Sequence, residues 1–392
     1  MEQLLSLLSR ERPVGTDGNT AVNDFLQTQL EAMGFKLVSL PFACHVREKG
    51  PSYADVKRQR FAICPCPFSP GFTGQGRLVL VQIQSELENA DCTHAVLLLA
   101  GSLVKSPLMP KNYPFYYPDD HRRLIELLEA KSPRAVIALT ARHPLCGLKP
   151  YLLFEDGNFP ILAAYTDCSN LLDLKKYIGQ IATLKIDSQK VFANSRQLMA
   201  TKSGKRVKEK VTICARMDTK YQTPGALDNA TGVAVLLETA KRLTASSYSI
   251  DIVPFNGEEY YEASGELAYL RYSKERNEKV RLFINIDAPC LEGSPNALSV
   301  YNLSKRHGEI ATQALTSISG MVSGDLWYAG DPSVFAFSRT PGLALTTQNL
   351  EEAIRLSHTF EDTLENIDAE GIIPAAEGLA LLIDSLLEVG GL

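Results

Sequence analysis

The chain has 392 residues, 45% of them hydrophobic and 22% charged, which is more than one hydrophobic core ordinarily organises, so two domains or one domain with a large insertion is expected. A net charge of −5 and a pI near 5.8 provide no basic face for phosphates, and the working expectation is no nucleic-acid partner. The apolar runs fall far short of the roughly 20 residues that span a bilayer, and the opening MEQLLSLLSRERPVG lacks the basic and apolar regions of a signal peptide, so a cytoplasmic protein with no membrane contact is expected.

The segment NTAVNDFLQTQLEAMGF places Val22, Phe25, Leu26, Leu30 and Met33 on one helical face and ends at Gly34, which predicts an amphipathic helix with a glycine cap. From about residue 56 the texture changes to strand-like runs (RLVLVQI, HAVLLLA, AVIALTA, ATLKID) with many prolines and one helix at RRLIELLEA. This block, 56–189, is expected to be an inserted domain, all-β or α/β, between the two parts of a main domain at 1–55 and 190–392. Within it GFTGQG, 71–76, reads as a turn, because it lacks the spacing of a phosphate loop and precedes a strand. Eight cysteines are scattered without a metal or redox spacing and are expected to stay reduced.

After 190 strands and helices alternate. VTICA, SIDIVPF, VRLFINID and GLALTT read as buried strands, while TGVAVLLETAKRL and AAEGLALLIDSLLEV read as helices. That pattern predicts an α/β domain, with a mixed, mostly parallel sheet covered by helices on both faces. The basic run KSGKRVKEK, 202–210, reads as a solvated hairpin tip.

Ligands of such sheets bind outside the carboxyl ends of the strands, and three consecutive strands finish in acids. VTICA leads into Arg216, Met217 and Asp218; SIDIVPFN into Gly257, Glu258 and Glu259; VRLFIN into Asp287. Asp228 opens the helix after the first of them. Taken singly, Asp228 could cap a helix, Glu258 and Glu259 could be a solvated pair, and Asp287 a turn residue. Taken together they repel one another unless a cation holds them, and His358 in LSHTFEDTLENID adds an imidazole flanked by acids. Adjacent glutamates suit a divided task, one binding a metal and the other accepting a proton from water at an open position.

The order DT, PGALDNATG, NGEE, NID, SHTFEDT resembles the M28 family of zinc metallopeptidases, whose members include aminopeptidases and a branch of glutaminyl cyclases. The block between is similar to the protease-associated insertion of many members. The resemblance implies Asp228 as a bridging carboxylate, Glu258 as general base, Glu259 and His358 as ligands of one zinc, Asp287 as ligand of a second, and Asp218 as an acid orienting a ligand. Asp331 matches the acid of a Ser-Asp-His stretch, with Pro332 in place of the histidine, and the loop GEEYYEASGE is about one residue longer than usual. Trp327, shortly before, is a candidate for either pocket lining or core.

Arg216 departs from the family pattern, which has a histidine ligand of the second metal there. A guanidinium has no lone pair to donate, so the second site should be lost or weakened while Asp228, Glu259 and His358 remain complete. The expectation is that Arg216 stands where the second metal's charge would be, pairing with Asp287, with Asp228 as a further candidate partner. The alternative is an Arg216 directed into solvent in a decayed site. The function implied is zinc-dependent removal of an amino-terminal residue from small peptides. A single-zinc glutaminyl-cyclase-like acyl transfer and a non-catalytic binding protein are the rivals, and the oligomeric state is left open.

Overall fold

The structure is a computed structural model that describes residues 1–392 except 112–116, 144–146, 155–158, 244–246, 261, 316–317, 327–333, 336–337 and 392. Trp327, Asp331 and Pro332 therefore lie outside the described residues. The chain divides into two compact units, Met1–Cys44 with Ala193–Leu392, and His45–Phe192.

The first unit begins with α1 (Glu2–Leu8), α2 (Asp17–Ala32) and strand β1 (Lys36–Lys49). Thr16 caps α2 by accepting a hydrogen bond from the Asn19 amide, and Val22, Leu26 and Leu30 form its buried stripe.

The second unit is a closed barrel of β2 (Ser52–Val56), β3 (Gln59–Pro65), β4 (Phe72–Val81), β5 (Ala95–Leu99), β6 (Ala135–Thr140), β7 (Leu162–Asp167) and β8 (Ile181–Ile186), in the order β2-β3-β7-β6-β5-β4-β8. Its helices are α3 (Gln84–Asn89), α4 (Asp119–Lys131) and α5 (Leu171–Lys175). β5 is buried at every position because its alternate residues serve two cores: Val96 and Leu98 join one with Phe61, Ile137 and Leu184, while Leu97 and Leu99 join another with Ile125 and Leu128 of α4. The segment read as a turn at 71–76 is mostly strand: from Phe72 onward β4 pairs with β8, and from Arg77 also with β5, and ladder hydrogen bonds override the local turn signal of its glycines. The unit also starts earlier than its change of texture suggests, since β2 pairs with both β3 and β8.

The first unit resumes with β9 (Ser188–Lys202), β10 (Arg206–Arg216), α6 (Gly232–Arg242), β11 (Tyr248–Phe255), α7 (Ser264–Glu275), β12 (Lys279–Ile286), β13 (Asn296–Tyr301), α8 (Lys305–Leu315), β14 (Met321–Ser323), β15 (Gly342–Thr347), α9 (Leu350–Leu356) and α10 (Ile372–Val389). The strands form one eight-stranded sheet, β1-β9-β11-β10-β12-β15-β13-β14, whose central members β11, β10, β12 and β15 run parallel. One face carries Val211, Ile213, Ile250, Ile252, Leu282, Ile284, Leu343 and Leu345 against α1, α2, α6, α8 and α10. The other carries Cys214, Val253, Phe255, Phe283 and Ala344 against Tyr269 of α7 and Phe335. Among the described residues no helix is long and apolar enough to cross a membrane.

The basic run at 202–210 is not a hairpin tip. β9 and β10 are separated in the sheet by β11, and Lys210 is buried, with its ammonium 3.2 Å from Asp251 and 3.7 Å from Glu278. A buried lysine survives there because it has two carboxylates to pair with.

Candidate metal centre

Parallel register brings the ends of three neighbouring strands together. Arg216 closes β10 opposite Phe255 of β11, and Cys214 of β10 lies opposite Asn285 of β12, so Arg216, Gly257 and Asp287 leave the sheet at one edge. Gly257 has φ +128, and a Cβ there would sit 3.3 Å from the backbone nitrogens of Ser264 and Gly265, so only glycine turns the chain into Glu258 and Glu259 without strain. Asp218 holds that turn. Its carboxylate accepts hydrogen bonds from the Gly257 amide at 3.0 Å and the Glu259 amide at 3.1 Å. Burial first, and then the Glu259 charge, push its pKa up to about 6.

Asp228 belongs to an irregular turn over Ala226–Thr231, four residues before α6 starts, rather than to a helix cap. The turn is fixed from three sides. Asp362 accepts from the Leu227 amide at 2.6 Å and the Asp228 amide at 3.1 Å. Asn229 donates to the Ile286 carbonyl at 2.8 Å and accepts from the Ala288 amide at 3.0 Å, which ties the turn to the end of β12. The third support is Arg12, fully buried, whose guanidinium donates to the carbonyls of Met217 at 2.6 Å, Pro224 at 3.0 Å and Gly225 at 3.1 Å, and also to Leu8. Burial outweighs the attraction of Asp362 and Asp218 and lowers the Arg12 pKa to about 10. Arg12→Met should strand several buried carbonyls and lower the free energy of unfolding by about 3 kcal/mol, read from urea melts.

Six of the residues read from sequence converge on one point. Arg216 is buried and directed into the cluster, not into solvent. It donates through Nη1 to Asp287 Oδ2 at 2.9 Å and through Nη2 to Asp228 Oδ1, and its Nε lies 3.4 Å from Glu259 Oε1 and 3.5 Å from Glu258 Oε2. His358, held at φ +63 in the segment after α9, brings Nε2 to 2.8 Å from Glu259 Oε1 and 3.3 Å from Asp228 Oδ2. Burial works against a charged His358, yet Glu259 and Asp228 raise its pKa to about 10. Burial likewise opposes ionisation of Glu259, but His358, Lys220 and Arg216 bring it down to about 2. Asp228 is held well below the usual carboxylate range despite burial, chiefly by Arg216, whereas burial raises Asp287. Asp218 touches the backbone of this group and none of its side-chain donors in the contacts above, so it acts as a support.

One ligand atom each from Asp228, Glu259 and His358 lie within 4.8 Å of one another. A tetrahedral zinc with bonds of about 2.0–2.2 Å sets its donors roughly 3.3–3.6 Å apart, close to the 3.3 and 2.8 Å around His358 Nε2. Two carboxylates and an imidazole are also a chemically suitable donor set, so the residues fit one such ion. Lys220 and Asp362 were not picked out from sequence. Asp362 lies inside the SHTFEDT motif but looks there like any other acid, and Lys220 carries no spacing signal.

Fold and centre together define an α/β protein whose strand ends carry a three-donor cluster fit for one metal ion. Residues 197–383 match the profile of Peptidase family M28. Aminopeptidase YwaD of Bacillus subtilis (strain 168) is 28% identical over 223 residues, 52% of this chain and 46% of the relative, so the match spans about half the length of that curated protein. An aminopeptidase from Aneurinibacillus sp. strain AM-1 has the same fold, with a TM-score of 0.76 at 17% identity over 100% of this chain and 95% of that one. So does BSAP, a zinc aminopeptidase from Bacillus subtilis, with a TM-score of 0.70 at 19% identity over 97% and 93% of the two chains.

Proposed function

We propose that the protein is a zinc-dependent aminopeptidase acting on small peptides, with one ion held by Asp228, Glu259 and His358 and with Arg216 in the place of a second. The observation that carries this reading is the division of Asp228: Oδ1 faces the Arg216 guanidinium and Oδ2 faces His358 Nε2. A carboxylate that would bridge two ions thus bridges one ion site and one fixed cation. Asp287 completes the arrangement by taking Arg216 Nη1.

When bound, the ion supplies Lewis acidity to the scissile carbonyl and to water. Glu258, at the rim of the cluster, takes the proton of the attacking water and returns it to the leaving amine. Arg216 Nε, 3.5 Å from Glu258 Oε2, keeps that carboxylate turned toward the cluster. Asp218 and Asp362 hold the two backbone turns on which these side chains stand. YwaD and BSAP, named as aminopeptidases, support the choice of substrate class, and we assign the inserted barrel as a protease-associated-type module of a cytoplasmic enzyme.

The test is zinc content after gel filtration, beside hydrolysis of a panel of aminoacyl chromogenic substrates and cyclisation of amino-terminal glutamine peptides. One zinc with aminoacyl hydrolysis that chelator abolishes is expected. Cyclisation without hydrolysis would transfer the site to acyl transfer, and hydrolysis indifferent to chelator would remove the ion from the reaction. His358→Ala leaves two carboxylates as ligands and should weaken zinc binding by more than about a hundredfold. Unchanged affinity in a chelator competition would take His358 out of the ligand set.

A further inference from the structure

We propose that Lys220 is a positioning residue that confines Glu259 to a single ligand oxygen and so keeps the centre open for substrate; this rests on the three-ligand reading above. The two oxygens of Glu259 have different neighbours. Oε1 faces the gap, 2.8 Å from His358 Nε2 and 3.4 Å from Arg216 Nε. Oε2 lies 3.4 Å from the Lys220 ammonium, which also donates to the Glu259 carbonyl at 3.3 Å. Lys220 is therefore fastened to the side chain and the backbone of one residue. Asp218, two positions earlier on the same loop, takes the amide of that residue. One short loop grips Glu259 at its amide, its carbonyl and its outer oxygen.

The consequence is coordination number. A catalytic site needs a position free for water or substrate beside its three protein ligands. A glutamate free to rotate could offer both oxygens and fill that position, and an ammonium on Oε2 prevents it. The charges agree with this role. Asp228, Glu258, Glu259 and Asp287 carry four negative charges around Arg216. One divalent ion, Arg216 and Lys220 carry four positive ones, so the loaded centre is neutral only when Lys220 is counted. Surface lysine pairs contribute little, but this ammonium is 22% exposed and its partner carboxylate 4%.

The experiment compares Lys220→Met, Lys220→Gln and Lys220→Arg with the wild type in the full chain. Zinc affinity of stripped protein is read by competition with a chromophoric chelator, and kcat and KM on whichever aminoacyl anilide the wild type hydrolyses. Lys220→Met and Lys220→Gln should each bind zinc about tenfold more tightly, because a neighbouring positive charge is gone and Oε2 can join the ion. Their kcat should fall about tenfold with KM little changed, and Lys220→Arg should restore both values. Zinc affinity within about twofold of wild type, or weaker binding, in both neutral variants overturns the proposal. A wild type that retains no zinc is a different result: it removes the three-ligand reading, and this one with it.

Discussion

Arg216→His is expected to raise the zinc retained after saturation and gel filtration from one ion per chain to two. The guanidinium spends Nη1 on Asp287 and Nη2 on Asp228, and both carboxylates are almost wholly withdrawn from water. Removing it leaves these charges facing each other, and an imidazole supplies both a lone pair and room for an ion between them. Arg216→Met isolates the electrostatic half of the effect. Breaking a buried ion pair from one side costs about 3–5 kcal/mol, so the stripped Arg216→Met protein should unfold at clearly lower urea, and excess zinc should recover much of the loss by binding only the folded state. Two tightly held ions in the wild type would show that Arg216 occupies no metal's place.

Turnover should fall by about 10²–10⁴ in Glu258→Gln, the range that a positioned general base contributes. The substitution keeps the shape of the side chain but exchanges one carboxylate oxygen for an amide NH2, removing the charge that accepts the proton. Since Asp228, Glu259 and His358 are untouched, zinc content should be unchanged and the thermal midpoint should stay within about 2 °C of wild type. That combination separates a lost proton acceptor from a damaged site. Near wild-type turnover in the variant would move the base elsewhere.

The part of this centre that could be read from the sequence is the part announced by buried strands. Arg216, Glu258, Glu259 and Asp287 each stand within four residues of an apolar run, so strand recognition placed them at one sheet edge. His358 was recognised by its acidic company. Arg12 gave no such signal, because its partners are carbonyl oxygens on loops, which any residue type supplies. Lys220 sits in a loop without periodicity and meets Glu259 only because Asp218 folds that turn back. The basic run ending at Lys210 misled for a related reason. Local composition reports solvation, whereas the position of β11 between β9 and β10 is set by pairing along the whole sheet. The barrel boundary shifted because β2 is too short to mark a change of texture, though it pairs on both sides.

The Arg12 clamp also orders events during synthesis. Arg12 precedes its acceptor Met217 by 205 residues, and the apolar stripe of α2 joins a core whose members from Leu198 onward lie beyond the barrel in the chain. Every strand of the barrel, from Ser52 to Ile186, lies inside that interval. A chain leaving the ribosome amino end first can therefore complete the barrel while its first helices have nothing to dock on. On that route the arm gains its long-range anchors, the carbonyls of Met217, Pro224 and Gly225, only after the barrel strands have emerged.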